Sequence, residues 1–153
     1  MEKLLVSACL MGENVRFDGK NSKNSSEIID KWKKEGCLVF FCPEVAGGLP
    51  VPRPPAEIQS DGRIITIEAE NVTAAFEQGA QKALALCRQH HIRIAILKEG
   101  SPSCGSSLIH DGSFSHRKIP GQGVTTRLLE EHGVRVFSEH DLEKAESYLR
   151  SID

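Results

Sequence analysis

The chain is predicted to be α/β: a single-domain Rossmann-like fold over residues 1–153, three layers deep (αβα), around a mainly parallel sheet. Three observations lead there. Strand and helix signals alternate along almost the whole chain, the pattern of βαβ units. The run Cys37–Phe41 is continuously apolar, as in a strand covered on both faces. The length suits one domain with a core that needs no staples, and no repeat, low-complexity tract or internal boundary interrupts it.

The elements follow in order. A first strand covers Lys3 to Ala8. The loop from Leu10 to Asn24 contains the turn pair Asp18-Gly19 and leads to a helix start at Ser25-Ser26-Glu27. The amphipathic stretch Glu27–Glu35 ends at Gly36, a good C-terminal cap. Strand two runs from Cys37 to Phe41. From Gly47 to Glu57, four prolines in six positions remove donors and fix backbone angles, so the stretch is neither helix nor central strand. It is a stiff extended loop, either a rigid connector or a pocket wall beside Cys42.

Asp61-Gly62 turns into a short strand at Ile64–Ile67. Val72–Gln89 is the clearest helix, with Val72, Ala75, Phe76, Ala80, Ala83, Leu84 and Leu86 as its buried stripe and Asn71 or Thr73 as cap. A strand at Ile92–Leu97 follows, then a small hairpin or irregular excursion through Leu108–Ser115. Gly121–Gly123 precede a helix to about His132, and Gly133 ends it. Val134–Phe137 forms a further strand, and Asp141 caps a last helix to about Leu149.

Composition narrows the function classes. Apolar residues make up 39% and charged residues 26%, ordinary for a globular protein. A formal charge of -2 provides no global positive field for a nucleic-acid polymer or anionic lipid. The cluster Lys31–Glu35 reads as the solvated face of a helix. No segment is long and apolar enough to span a bilayer, and the chain begins directly with a strand rather than a leader, so a cytoplasmic location is expected. An odd cysteine count of five argues for reduced thiols or metal ligands over a disulfide framework.

Cys9, Cys42 and Cys104 stand just past predicted strand ends, each running into a Gly- or Pro-bearing loop. If those strands are parallel neighbours, their C-terminal edges meet in one crevice, the usual ligand position of open α/β sheets. Converging thiolates suggest a soft-metal or iron–sulfur site with one coordination position open; three separate core residues are the plainer reading. Cys37 opens a strand at the opposite edge and Cys87 sits inside the long helix, where both suit apolar packing.

Several sharper motifs are missing. There is no Cys-x-x-Cys, no Cys-x5-Arg phosphate loop and no His-Glu-x-x-His; His90-His91 falls at a helix end. Gly121–Thr126 only half resembles a dinucleotide loop, but is expected to form a helix N-terminus able to bind a small polar or anionic group. Glu44, two residues beyond Cys42, is placed to move a proton beside a metal-bound substrate, or else is a surface carboxylate. Ser101 and Ser103 flank Pro102, forming turn hydrogen bonds or holding a polar substrate.

The strings Val6–Leu10, Val15–Gly19, Cys42–Leu49, Pro52–Glu57, Lys98–Gly105 and Gly121–Thr125 occur in one order. Together they resemble the family labelled domain of unknown function 523, which contains iron–sulfur-dependent 2-thiouracil desulfidases. The resemblance covers essentially the whole chain. It implies a [4Fe-4S] cluster held by Cys9, Cys42 and Cys104, with a fourth iron free to take a soft thiocarbonyl sulfur. It further implies Glu44 and Ser101 as catalytic residues; Ser103 and Arg53 are assigned to substrate binding. Expected partners are a small thiolated heterocycle and the cluster-assembly machinery. An iron–sulfur or sulfide carrier without catalysis, and a zinc protein, are the alternatives.

Overall fold

The computed structural model describes residues 2–24 and 26–152, so Ser25 of the expected helix start lies outside the described residues. Four strands form a parallel sheet in the order β2-β1-β5-β8: β1 (Leu4–Ser7), β2 (Leu38–Phe41), β5 (Ile94–Leu97) and β8 (Arg135–Ser138). Leu4 is level with Leu38 on one side and Ile94 on the other.

The two-residue period of the strands distributes their side chains between two cores. Leu4, Val6, Ile94 and Ile96 pack with Ile29 and Trp32 of α1 (Glu27–Lys34) and with Leu142 and Ala145 of α5 (Leu142–Ile152). Leu5, Ala95 and Leu97 point the other way. They meet Ala83, Leu84 and Cys87 of α3 (Thr73–Gln89) and Leu129 of α4 (Val124–Glu131). The three-layer αβα arrangement is therefore as expected. No helix among the described residues is long and apolar enough to cross a membrane.

The helices start and stop for local reasons. Ser26 Oγ accepts the Ile28 amide at the start of α1, and Gly36 follows its end in the left-handed region at φ 71°. Asn71 Oδ1 accepts the Thr73 amide at 3.0 Å, so of the two expected caps it is Asn71 that takes the helix amide. Trp32 departs from the solvated reading of its charge cluster: it is fully buried between exposed lysines.

Three differences bear on the site. A 3-10 turn (Ala8–Met11) follows β1 and carries Cys9. A four-residue helix α2 (Pro43–Ala46) follows Cys42, where no element was expected; Pro43 at its start needs no helical amide donor. Third, the end of the proline-rich stretch is a strand after all. β3 (Ala56–Ile58) pairs antiparallel with β4 (Ile64–Thr66), a separate hairpin that tolerates the prolines before it. The second hairpin joins β6 (Leu108–His110) to β7 (Lys118–Pro120), so residues 113–115 belong to its connecting loop.

Glycine sets the approach of α2. A Cβ on Gly79 of α3 would sit 2.0 Å from the Pro43 carbonyl oxygen, and one on Gly47 would sit 2.0 Å from that of Ala75. The two helices therefore meet backbone to backbone, and that contact presents Cys42 and Glu44 at the sheet edge.

Candidate active site

β1, β2 and β5 are adjacent, and the loops leaving their C-terminal ends enclose a cavity of about 520 Å³. The crossover from β1 to β2 carries α1 on one face, and that from β2 to β5 carries α3 on the other. The cavity opens where the winding changes face, the position general to such sheets. Cys9, Cys42 and Cys104 all line it. All five cysteines are free thiols.

The three thiols feel one another. Burial pushes Cys9 up to about 11, and neighbouring Cys42 adds to the rise while Lys98 and Arg16 oppose it. Burial also raises Cys104, with Glu44, Cys42 and Cys9 adding to it. Burial raises Cys42 too, against the amides of Val45 and Glu44 at the start of α2. Three thiolates in such a place require a compensating cationic core. Among the described residues no three Cys, His, Asp or Glu side chains are gathered as the ligands of one metal ion. Soft thiolate donors suit iron–sulfur ligation, and Cys9, Cys42 and Cys104 are the residues that would hold such a cluster.

Cys104 has two hydroxyl neighbours. Ser7 Oγ donates to its sulfur at 3.9 Å while accepting the Lys98 amide at 3.0 Å. The Ser103 hydroxyl lowers the thiol's pKa against the larger effect of burial. Cys37 and Cys87 lie elsewhere: Cys37 Sγ donates to the Trp32 carbonyl at 3.2 Å, and Cys87 is buried between α3 and β5.

Glu44 lines the same cavity. Burial raises its pKa, while the Arg53 guanidinium and the Ser101 hydroxyl pull it back. Arg53 is itself almost enclosed, with 5% of its side chain exposed. Its Nε donates to Glu44 Oε1 at 3.2 Å, and its two terminal nitrogens donate to the carbonyls of Pro50 and Val15. Arg53 reaches the cavity wall, but its nitrogens are engaged by the protein. It binds the proline-rich loop to the β1 loop and orients Glu44.

Ser101 and Ser103 prove unlike. Ser101 Oγ accepts the amides of Ser103 and Cys104 at 3.0 and 2.8 Å, building the turn that carries Cys104. Its own proton remains for Glu44 or a ligand. Ser103 is completely buried, bonds Thr125 Oγ1 at 2.6 Å and does not line the cavity. It stands behind Cys104 rather than on the cavity wall where a substrate contact was expected. The N-terminus of α4 is likewise spoken for. The amides of Val124 and Thr125 donate to the carbonyls of Pro102 and Ser103, leaving no room for an anion there.

Two residues of the site had no role assigned from sequence. Glu99 is 9% exposed and accepts from the amides of Gly100, Ser106, Ser107 and Leu108 and from both serine hydroxyls. Burial alone would raise its pKa; these donors hold it at about 2. It is the centre around which the Cys104 loop folds. Lys98 lines the cavity, and its Nζ is paired with Glu139 at 3.0 Å. Both belong to the string Lys98–Gly105, and their position at the end of β5 was the available signal.

A parallel α/β sheet with three free thiols and a partly buried carboxylate around one cavity at its switch point has the donor types of a soft-metal or iron–sulfur protein. The chain belongs to the 2-thiouracil desulfurase family, whose model matches residues 4–141. It is 43% identical over 148 residues to an uncharacterized protein of Bacillus subtilis (strain 168), YbbK, covering 91% of this chain and 97% of that one. It is 49% identical to a solved structure described as a [4Fe-4S]-dependent thiouracil desulfidase, TudS. That match has a TM-score of 0.95 and covers 98% of this chain and 99% of the other. The resemblance drawn from the ordered motifs holds.

Proposed function

We propose that this protein is a non-redox desulfidase that converts a thiolated nucleobase, 2-thiouracil or a similar thioamide, to the oxo compound and hydrogen sulfide. The observation that carries this reading is the meeting of three thiols and Glu44 in one cavity at the ends of three adjacent parallel strands. Cys9, Cys42 and Cys104 would hold a [4Fe-4S] cluster, which when bound supplies a Lewis-acidic iron for the soft thiocarbonyl sulfur.

The rest is done by the chain. The apolar rim of Phe17, Ile67 and Phe114 takes the heterocycle out of water. Glu44, oriented by Arg53, accepts a proton from the water that adds to the carbon bearing sulfur, then returns it as the C–S bond breaks. Ser101 donates a hydrogen bond that keeps carboxylate and ring in register. The balance is C=S plus water to C=O plus hydrogen sulfide, with no electron gained or lost. Loading would fall to the cell's cluster-assembly machinery, and five unbridged thiols suit the reducing cytoplasm.

Anaerobically reconstituted protein supplied with 2-thiouracil tests the proposal. Uracil and sulfide should accumulate in equal amounts over many turnovers. Full iron content with no turnover on any thionucleobase would favour a sulfide carrier instead.

A further inference from the structure

We infer that Glu57 is a positioning residue that clasps the loop 111–117 and so sets Phe114 as one aromatic wall of the substrate slot; the inference rests on the desulfidase reading. Glu57 lies on β3, in the hairpin outside the main sheet, and is 7% exposed. Its Oε1 accepts the amide of Gly112 at 2.9 Å and that of Phe114 at 3.2 Å. Gln59, from the same hairpin, donates to the Gly112 carbonyl at 3.3 Å. One buried carboxylate thereby joins two hairpins across the cavity mouth.

The loop needs such a restraint. Phe114 and His116 both stand in the left-handed region, at φ 57° and 63°, which side chains other than glycine disfavour. Such a conformation persists where the surroundings fix it, and the Phe114 amide held by Glu57 is that fixing contact. Phe114 and Phe17 line the cavity from different loops. A planar heterocycle offers its face to such rings. Stacking is made as soon as the heterocycle is bound and takes no part in the proton transfers or the C–S cleavage, so it governs KM more than kcat.

Cluster-loaded wild type, Glu57→Gln, Glu57→Ala, Phe114→Ala and the Glu57→Ala/Phe114→Ala double variant decide the matter, by kinetics and by amide hydrogen exchange over 111–117. Glu57→Ala should raise KM about tenfold with kcat within about twofold, as loss of one base-stacking contact does. Iron content should hold while exchange at Gly112 and Phe114 quickens. Glu57→Gln, keeping one acceptor oxygen, should fall between. The double variant should be no worse than Phe114→Ala. An unchanged KM, a loss confined to kcat or iron content, or additive single effects would overturn the inference. If wild type converts no thionucleobase, the desulfidase reading fails separately. Exchange then decides the clasp: faster exchange in Glu57→Ala upholds it, and unchanged exchange overturns it.

Discussion

At Glu44 two influences oppose each other: burial favours the neutral acid, while Arg53 and Ser101 favour the carboxylate. A group so balanced can change its charge in the course of a reaction, whereas Glu99, with its amide and hydroxyl donors, stays ionised. Glu44→Gln should therefore slow desulfidation about 10²- to 10⁴-fold, the usual range for a lost general base, without changing iron per chain. Loss of iron would show that Glu44 supports the cluster. Glu99→Gln should do the reverse, lowering stability by roughly 1–3 kcal/mol at neutral pH through its mismatched donors. The folded-state pKa of Glu99 lies below the ordinary 4.5, so its stabilisation is complete above that value and fades as pH falls toward about 2. Melting curves of the two proteins should converge over that window; a constant gap would contradict the assignment. That Glu44 and Ser101 line the cavity was legible because they flank cysteines in distinctive strings. Ser101 and Ser103 look alike in the sequence of one turn, and only a tertiary partner, Thr125, which bonds Ser103, sets their surroundings apart.

Among the elements, α2 is the one local sequence could not announce. Four residues cannot sustain a helix alone, and this one holds because Gly47 and Gly79 let its backbone touch α3. Gly79→Ala should force that contact apart, costing about 1–3 kcal/mol as overpacking does, and moving Cys42 with it. Iron retained per chain should fall alongside the melting temperature; unchanged iron content would show that α2 does not position Cys42. β1 and β5 were read well because their apolar runs are buried on both faces, whereas β2 lies at the sheet edge with Phe40 exposed, so its continuous apolar run does not mean the full cover expected of it. The β3–β4 hairpin was half missed because prolines at Pro54 and Pro55 mask the short strand beginning at Ala56.

Over the whole molecule, the strand order β2-β1-β5-β8 turns three cysteines far apart in the chain into one site. The same order leaves Cys37 and Cys87 in the two cores, away from the cavity. Cys37→Ala and Cys87→Ala should cost some stability yet keep full iron content, while Cys9→Ala should lose most of it; iron and sulfide analysis after anaerobic reconstitution checks this. Parallel pairing was inferable from the alternation of elements, but which strands are neighbours is a matter of tertiary packing that periodicity does not encode.

The reaction proposed for this site is a hydrolysis without electron transfer. Turnover of 2-thiouracil in heavy-oxygen water, with no reductant or oxidant present, tests it most directly. Each uracil formed should carry one labelled oxygen, with one sulfide released. Unlabelled uracil, or turnover that depends on an added electron donor or acceptor, would contradict it.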